Sequence, residues 1–129
     1  MAQTVYYNER ITATFGTRAA AAIPTTTFFT APTGSWEVET LTYIWGTAAG
    51  ATSTVGVYKD TGTDVPGGGT IITSAAVDMN TTANTLNTPT LVTNGVQILA
   101  AGNRLSVKVA SGSATASADV HIEAVLRRL

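Results

Sequence analysis

The chain of 129 residues contains no cysteine, which excludes a disulfide framework, a thiolate nucleophile and a cysteine-ligated zinc or iron–sulfur centre. The fold has to stand on its core alone. Charged residues make up only 12% of the sequence, about half the usual ~25%. The 7 basic and 8 acidic side chains leave a formal charge of −1. That balance supplies no field for gathering nucleic acid or an anionic membrane surface, which call for a basic protein. No apolar run approaches the roughly 18 residues of a membrane-spanning helix, because threonine, glycine or a charge interrupts each one. Residues 1–10 lack a basic stretch followed by an apolar one, so no secretory signal is expected and synthesis is expected in the cytoplasm. The 44% hydrophobic fraction argues against disorder, which needs low hydrophobicity and high net charge. At this length a single domain is expected.

Threonine is abundant, and its branched Cβ suits a pleated strand. Ile11, Ala13 and Phe15 alternate with Arg10, Thr12 and Thr14 up to Gly16, the period of a half-buried strand. A second strand is predicted over residues 25–30, stopped by the turn chemistry of Ala31-Pro32-Thr33-Gly34, where a hairpin-like reversal is expected. From Trp36 to Trp45 the apolar parity changes midway: Trp36 and Val38 share one parity, Leu41, Tyr43 and Trp45 the other. A bulge near Glu39-Thr40 would bring both sets to one side; a strand buried on different faces at its two ends is the alternative. Further strands are predicted over 54–59 and 70–79 and within 86–99, where Asn94-Gly95 signals a hairpin. Leu105, Val107 and Val109 and then Val120, Ile122, Ala124 and Leu126 mark the closing pair. Residues 60–69, rich in glycine, are expected to form an exposed, mobile loop. Eight or nine short strands with glycine-rich turns fit an all-β sandwich or barrel, with residues 1–10 as an N-terminal arm and 11–129 as the domain.

Few side chains offer chemistry. Asp119, His121 and Glu123 share one side of the last strand and could form a metal-ready row, but any solvent-facing strand opposite Val120, Ile122 and Ala124 shows the same pattern. His121, the one histidine, has no Gly-x-Ser-x-Gly elbow to serve, and Ser111, Ser113 and Ser117 sit in turn-like surroundings. Asp60 and Asp64 could offer oxygens to calcium but lack the further acidic ligands of an EF-hand. Gly67-Gly68-Gly69 has neither the following lysine nor the helix of a phosphate loop. Tyr6, Tyr7, Trp36, Tyr43, Trp45 and Tyr58 could in principle stack on sugars, although Trp36 and Trp45 fit a core better. No enzyme, cofactor or metal site is expected. Arg127-Arg128 is too small a basic pair for nucleic acid but could pair with a partner surface.

A low-charge surface of threonine and alanine costs little to desolvate and suits a permanent contact. The segment Phe28-Phe29-Thr30-Ala31-Pro32-Thr33-Gly34-Ser35-Trp36-Glu37-Val38, followed by Leu41-Thr42-Tyr43-Ile44-Trp45-Gly46 and Val55-Gly56-Val57-Tyr58, resembles the front half of a virion jelly-roll domain. Leu99-Ala100-Ala101-Gly102-Asn103-Arg104-Leu105-Ser106-Val107-Lys108-Val109, then Val120-His121-Ile122-Glu123, is similar to the L-x-x-G-D-x-L-x-V ending of small tailed-bacteriophage structural proteins, especially capsid decoration and head-fibre proteins, with Asn103 in place of the usual aspartate. Over residues 28–126 the resemblance implies a jelly-roll β-sandwich, frequently a homotrimer. Such a protein is made in the host cytoplasm and clamps the major capsid protein from the virion exterior, with no catalytic residue. Tyr6, Tyr7, Arg10, Arg127 and Arg128 are the partner-contact candidates, the two tyrosines as anchors of the arm. A phage tail or fibre component and a carbohydrate-binding module are the competing expectations.

Overall fold

A computed structural model describes residues 9–17, 23–112 and 119–129. Nine strands follow one another: β1 (Arg10–Gly16), β2 (Thr26–Thr30), β3 (Ser35–Ile44), β4 (Ser53–Asp60), β5 (Thr70–Ile71), β6 (Val77–Asp78), β7 (Ile98–Ala100), β8 (Arg104–Gly112) and β9 (His121–Arg128). No helix occurs among the described residues. The strands form two antiparallel sheets, one ordered β1-β9-β3-β7 and the other β2-β8-β4-β5, with β6 also on β4. Because β5 and β6 line up on the same edge of β4, the second sheet also has four positions. The chain crosses between sheets at nearly every connection, which winds the sandwich as a jelly roll.

That winding changes the meaning of three turns. The corner at 31–34 joins β2 to β3 across the two sheets, and β8 and β9, the closing pair of the sequence, likewise lie in different sheets. Asn94-Gly95 does turn the chain, yet its flanks do not pair with each other. Residues 90–92 bond to the β5–β6 strand, with the Ser74 N–H donating to Thr90 and the Val92 N–H to Ile72, whereas β7 pairs with β3. Turn chemistry fixes where a chain reverses, not which sheet receives it. The corner at 101–103 keeps the acceptor an aspartate would have given: Asn103 Oδ1 takes the Ala100 N–H at 3.0 Å. Gly102, at φ +85°, bonds through its N–H to the Ala31 carbonyl and so ties this corner to the one at 31–34.

The parity change in β3 is resolved by a bulge, since the register against β9 shifts between Val38 and Thr40. Trp36, Val38, Leu41 and Tyr43 all enter one core with Trp45, and each is at most 2% exposed. From the facing sheet come Val55, Val57, Leu105 and Val107. Trp36 and Trp45 are therefore core residues, as their strand positions suggested. Burial pushes the Tyr43 phenol above its ordinary pKa.

The glycine-rich segment 60–69 is mostly exposed, as its composition predicts, but it is fastened to the sandwich at defined points. It folds back over the outer surface of β8 and β4, fastened by Asp60, which is fully buried. The Asp60 carboxylate accepts from the N–H groups of Gly67 (3.0 Å) and Gly69 (2.9 Å) and from the Ser106 hydroxyl. Arg104 donates to the Gly62 and Asp64 carbonyls, and Lys108 to the Gly67 carbonyl. Glycine is required at 69, where a Cβ would overlap the Lys59 carbonyl oxygen. Asp60 thus serves as an internal acceptor rather than a calcium ligand. Asp60→Ala leaves three donors without it and lowers unfolding stability by on the order of 3 kcal/mol, measured by urea denaturation. A loss below about 0.5 kcal/mol would show that the loop does not depend on this carboxylate.

Candidate assembly face

The outer face of the β1-β9-β3 sheet is built in four cross-strand rows. Register places Arg10, Arg127 and Glu37 in the first, Thr12, Val125 and Thr40 in the second, Thr14, Glu123 and Thr42 in the third, and Gly16, His121 and Ile44 in the fourth. The alternation that buries Ile122, Ala124 and Leu126 forces their neighbours outward. Charge collects at the first row, and the other three hold threonine, valine, glycine, isoleucine, His121 and one glutamate.

The charged end is closed upon itself. The extra residue of the β3 bulge puts Glu39 on the outer face beside Glu37, between the two arginines. Arg10 grips Glu39 through Nε and Nη2, at 2.8 and 3.3 Å, while Arg127 reaches Glu37 at 3.1 Å and lies 3.4 Å from Glu39. The hydrogen bond from Arg10 is the main cause that holds the Glu39 carboxyl below the ordinary range, and the same bond raises Arg10. Arg128 is separate. It sits at the end of the sandwich, paired with Glu9 at 3.1 Å, its guanidinium 6.0 Å from the centre of the Trp36 ring. The structure thus brings Arg10 and Arg127 together and leaves Arg128 beside them on a different surface, each with a carboxylate of its own chain. Tyr6 and Tyr7 lie outside the described residues.

A groove of about 320 Å³ runs along the outer edge of β3, between its bulge and residues 88–93. It opens where β3 lacks a neighbour: the Val38 N–H donates to Gln97, Tyr43 and Asn87 exchange two backbone bonds, and the edge between these fastenings is bare. Leu41, Pro89 and Leu91 give its apolar lining and Gln97 a polar wall.

The other candidates are dispersed. His121 and Glu123 stand 3.7 Å apart on the outer face, with Asp119 at φ +53° just before the strand. Among the described residues no group of three or more potential ligands is gathered around a metal position. Ser111 bonds to Thr54 at 2.6 Å; Ser113 and Ser117 lie outside the described residues. Tyr43, Trp36 and Trp45 are buried, and Tyr58 carries the Lys108 ammonium 5.6 Å from its ring centre. The exposed large hydrophobics among the described residues are Val65, Leu86 and Leu129, none aromatic.

No family model matches the chain, and no curated protein does either. A solved structure, the "Cyanophage Pam1 capsid asymmetric unit", is similar in shape at a TM-score of 0.48 and 15% identity, with 100% of this chain and 93% of that one covered. A likeness of that extent leaves the role to be argued from this chain's own surface.

The Arg10–Glu39 contact has a defined pH signature. A depressed folded-state pKa contributes stability that is present above the unfolded carboxylate value and lost as pH falls through the folded one. In an NMR titration Arg10→Met returns the Glu39 midpoint to the ordinary carboxylate range; an unmoved midpoint contradicts the assignment of the shift to Arg10.

Proposed function

We propose that this chain is a non-enzymatic structural protein of a tailed-phage virion, which binds the outside of the capsid and stabilises the mature shell as a decoration or cement protein. The observation that carries the reading is the outer face of the β1-β9-β3 sheet, whose middle rows are mostly uncharged and whose arginines at the charged end already hold carboxylates of their own chain. Covering it strands few unpaired charges, the main obstacle to burying a protein surface. The resemblance of residues 28–126 supports the same role and names the major capsid protein as the partner.

The mechanism is mass action. A ligand that binds only the assembled, mature shell stabilises it by RT ln(1 + [L]/Kd), about 2.7 kcal/mol per site at a hundredfold excess over Kd. No bond is made or broken. Tyr6 and Tyr7 are proposed as anchors of an arm onto the shell, with Arg10 and Arg127 re-pairing across the contact. The tail or fibre reading shares this surface. A carbohydrate-binding module is less well supported, because Trp36, Tyr43 and Trp45 are buried, Phe28 and Phe29 are half-buried against the core, and Tyr58 is topped by a lysine.

Val125, at the centre of the second row, is the position to change. Val125→Glu introduces a charge that burial leaves unpaired, and binding to shells stripped of the native protein falls by at least about tenfold, read by co-sedimentation, with circular dichroism unchanged. Unaltered binding by the folded variant excludes this face. Replacing Tyr6 and Tyr7 by alanine weakens the same binding without unfolding the domain, and undiminished binding removes the arm.

A further inference from the structure

An unpaired strand edge presents a row of free N–H and C=O groups, and it decides what a sheet can still join. Three of the four sandwich edges are blunted. β2 has five residues and a register shift between Thr27 and Phe29. The β5–β6 edge is broken into two-residue pieces and bonded to residues 90–92. At the remaining side β3 is tied to Gln97 and Asn87, and β7 is three residues long.

β1 is different. It pairs with β9 over seven residues without a shift, and it contains no proline, no lysine and no bulge. Its bonds to β9 run through odd-numbered residues, as the Arg128 N–H on the Glu9 carbonyl and the Thr17 N–H on the Val120 carbonyl show. The backbone groups of Arg10, Thr12, Thr14 and Gly16 therefore point off the sheet, and among the described residues nothing bonds to them.

We propose that β1 pairs antiparallel with β1 of a second copy about a two-fold axis at Ala13, joining two four-stranded sheets into one of eight strands. In that register Thr12 lies opposite Thr14 of the second copy and Arg10 opposite its Gly16, so every outward backbone group meets one that is also outward. The threonine pair is a favourable cross-strand contact. Arg10 faces a residue without a side chain, and the two arginines stand about 20 Å apart at ~3.3 Å per residue, which avoids like-charge opposition. On the core side Ile11, only partly buried in the single chain, comes against Phe15 of the second copy. The pairing does not depend on a virion role, and it departs from the three-fold assembly that the resemblance implies.

Analytical ultracentrifugation of the full chain tests the pairing, with amide exchange as a second reading. Thr12→Pro removes an outward N–H without removing a bond to β9; Thr12→Lys with Thr14→Lys sets lysines opposite one another across the axis. The wild type sediments at twice the chain mass, and both variants, with unchanged β-sheet circular dichroism, sediment as monomers. Exchange of the Thr12 and Thr14 amides in the wild type slows by at least about tenfold from dilute to concentrated solution, a reading that decides the matter even where a variant fails to fold. A wild type that stays monomeric at millimolar concentration, sediments as a trimer, or leaves these amides equally fast at both concentrations overturns the proposal, as does a folded lysine variant that remains dimeric.

Discussion

β3 has to send Trp36 and Val38 from one end, and Leu41 and Tyr43 from the other, into the same core. A strand whose side chains alternate sides cannot do this across residues 38 and 41 without one extra residue. The bulge at Glu39 supplies it, and three features follow from it. Both large aromatic clusters of β3 reach the core. Glu39 joins Glu37 on the opposite surface, where the arginines of β1 and β9 hold it. The outer edge of β3 is left without a continuous neighbour, and the groove forms there. Packing, electrostatics and surface shape on this side of the sandwich thus share a single backbone irregularity.

The bulge was legible in the sequence because hydrophobic parity is a direct readout of which face is buried, and the parity of Trp36 and Leu41 disagrees. The strands themselves were legible for the same reason, β1 and β9 most clearly. What turn residues do not encode is the partner. Pro32-Thr33-Gly34 and Asn94-Gly95 mark reversals correctly, yet each leads from one sheet to the other, since the choice rests on long-range pairing that no local signal carries. Asp60 illustrates a second kind of miss. Its loop partners, Gly67 and Gly69, are backbone donors that any residue but proline provides, so no local signal in the sequence marks the aspartate as a structural acceptor.

The candidate surface was partly legible. Arg10, Arg127 and Arg128 were picked out as exposed cations, but their carboxylate partners Glu39, Glu37 and Glu9 depend on strand order and could not be paired by spacing, at sequence separations of 29, 90 and 119. Low overall charge, visible from composition, acquires a physical meaning once these pairs are seen: several of the charges on the face are compensated within the chain. A surface of that kind is tolerant of being covered, and the threonine and valine rows beside its charged end offer an area for a neighbour.

The most direct test of the assembly role is the number of copies of this chain per copy of major capsid protein, measured by quantitative mass spectrometry on purified particles of the source virus. The account predicts a ratio near one, or one per few shell subunits, as a protein covering the shell requires. A few copies to a few dozen per particle would place the chain in a tail or fibre instead, and its absence from the particle would contradict a virion role altogether.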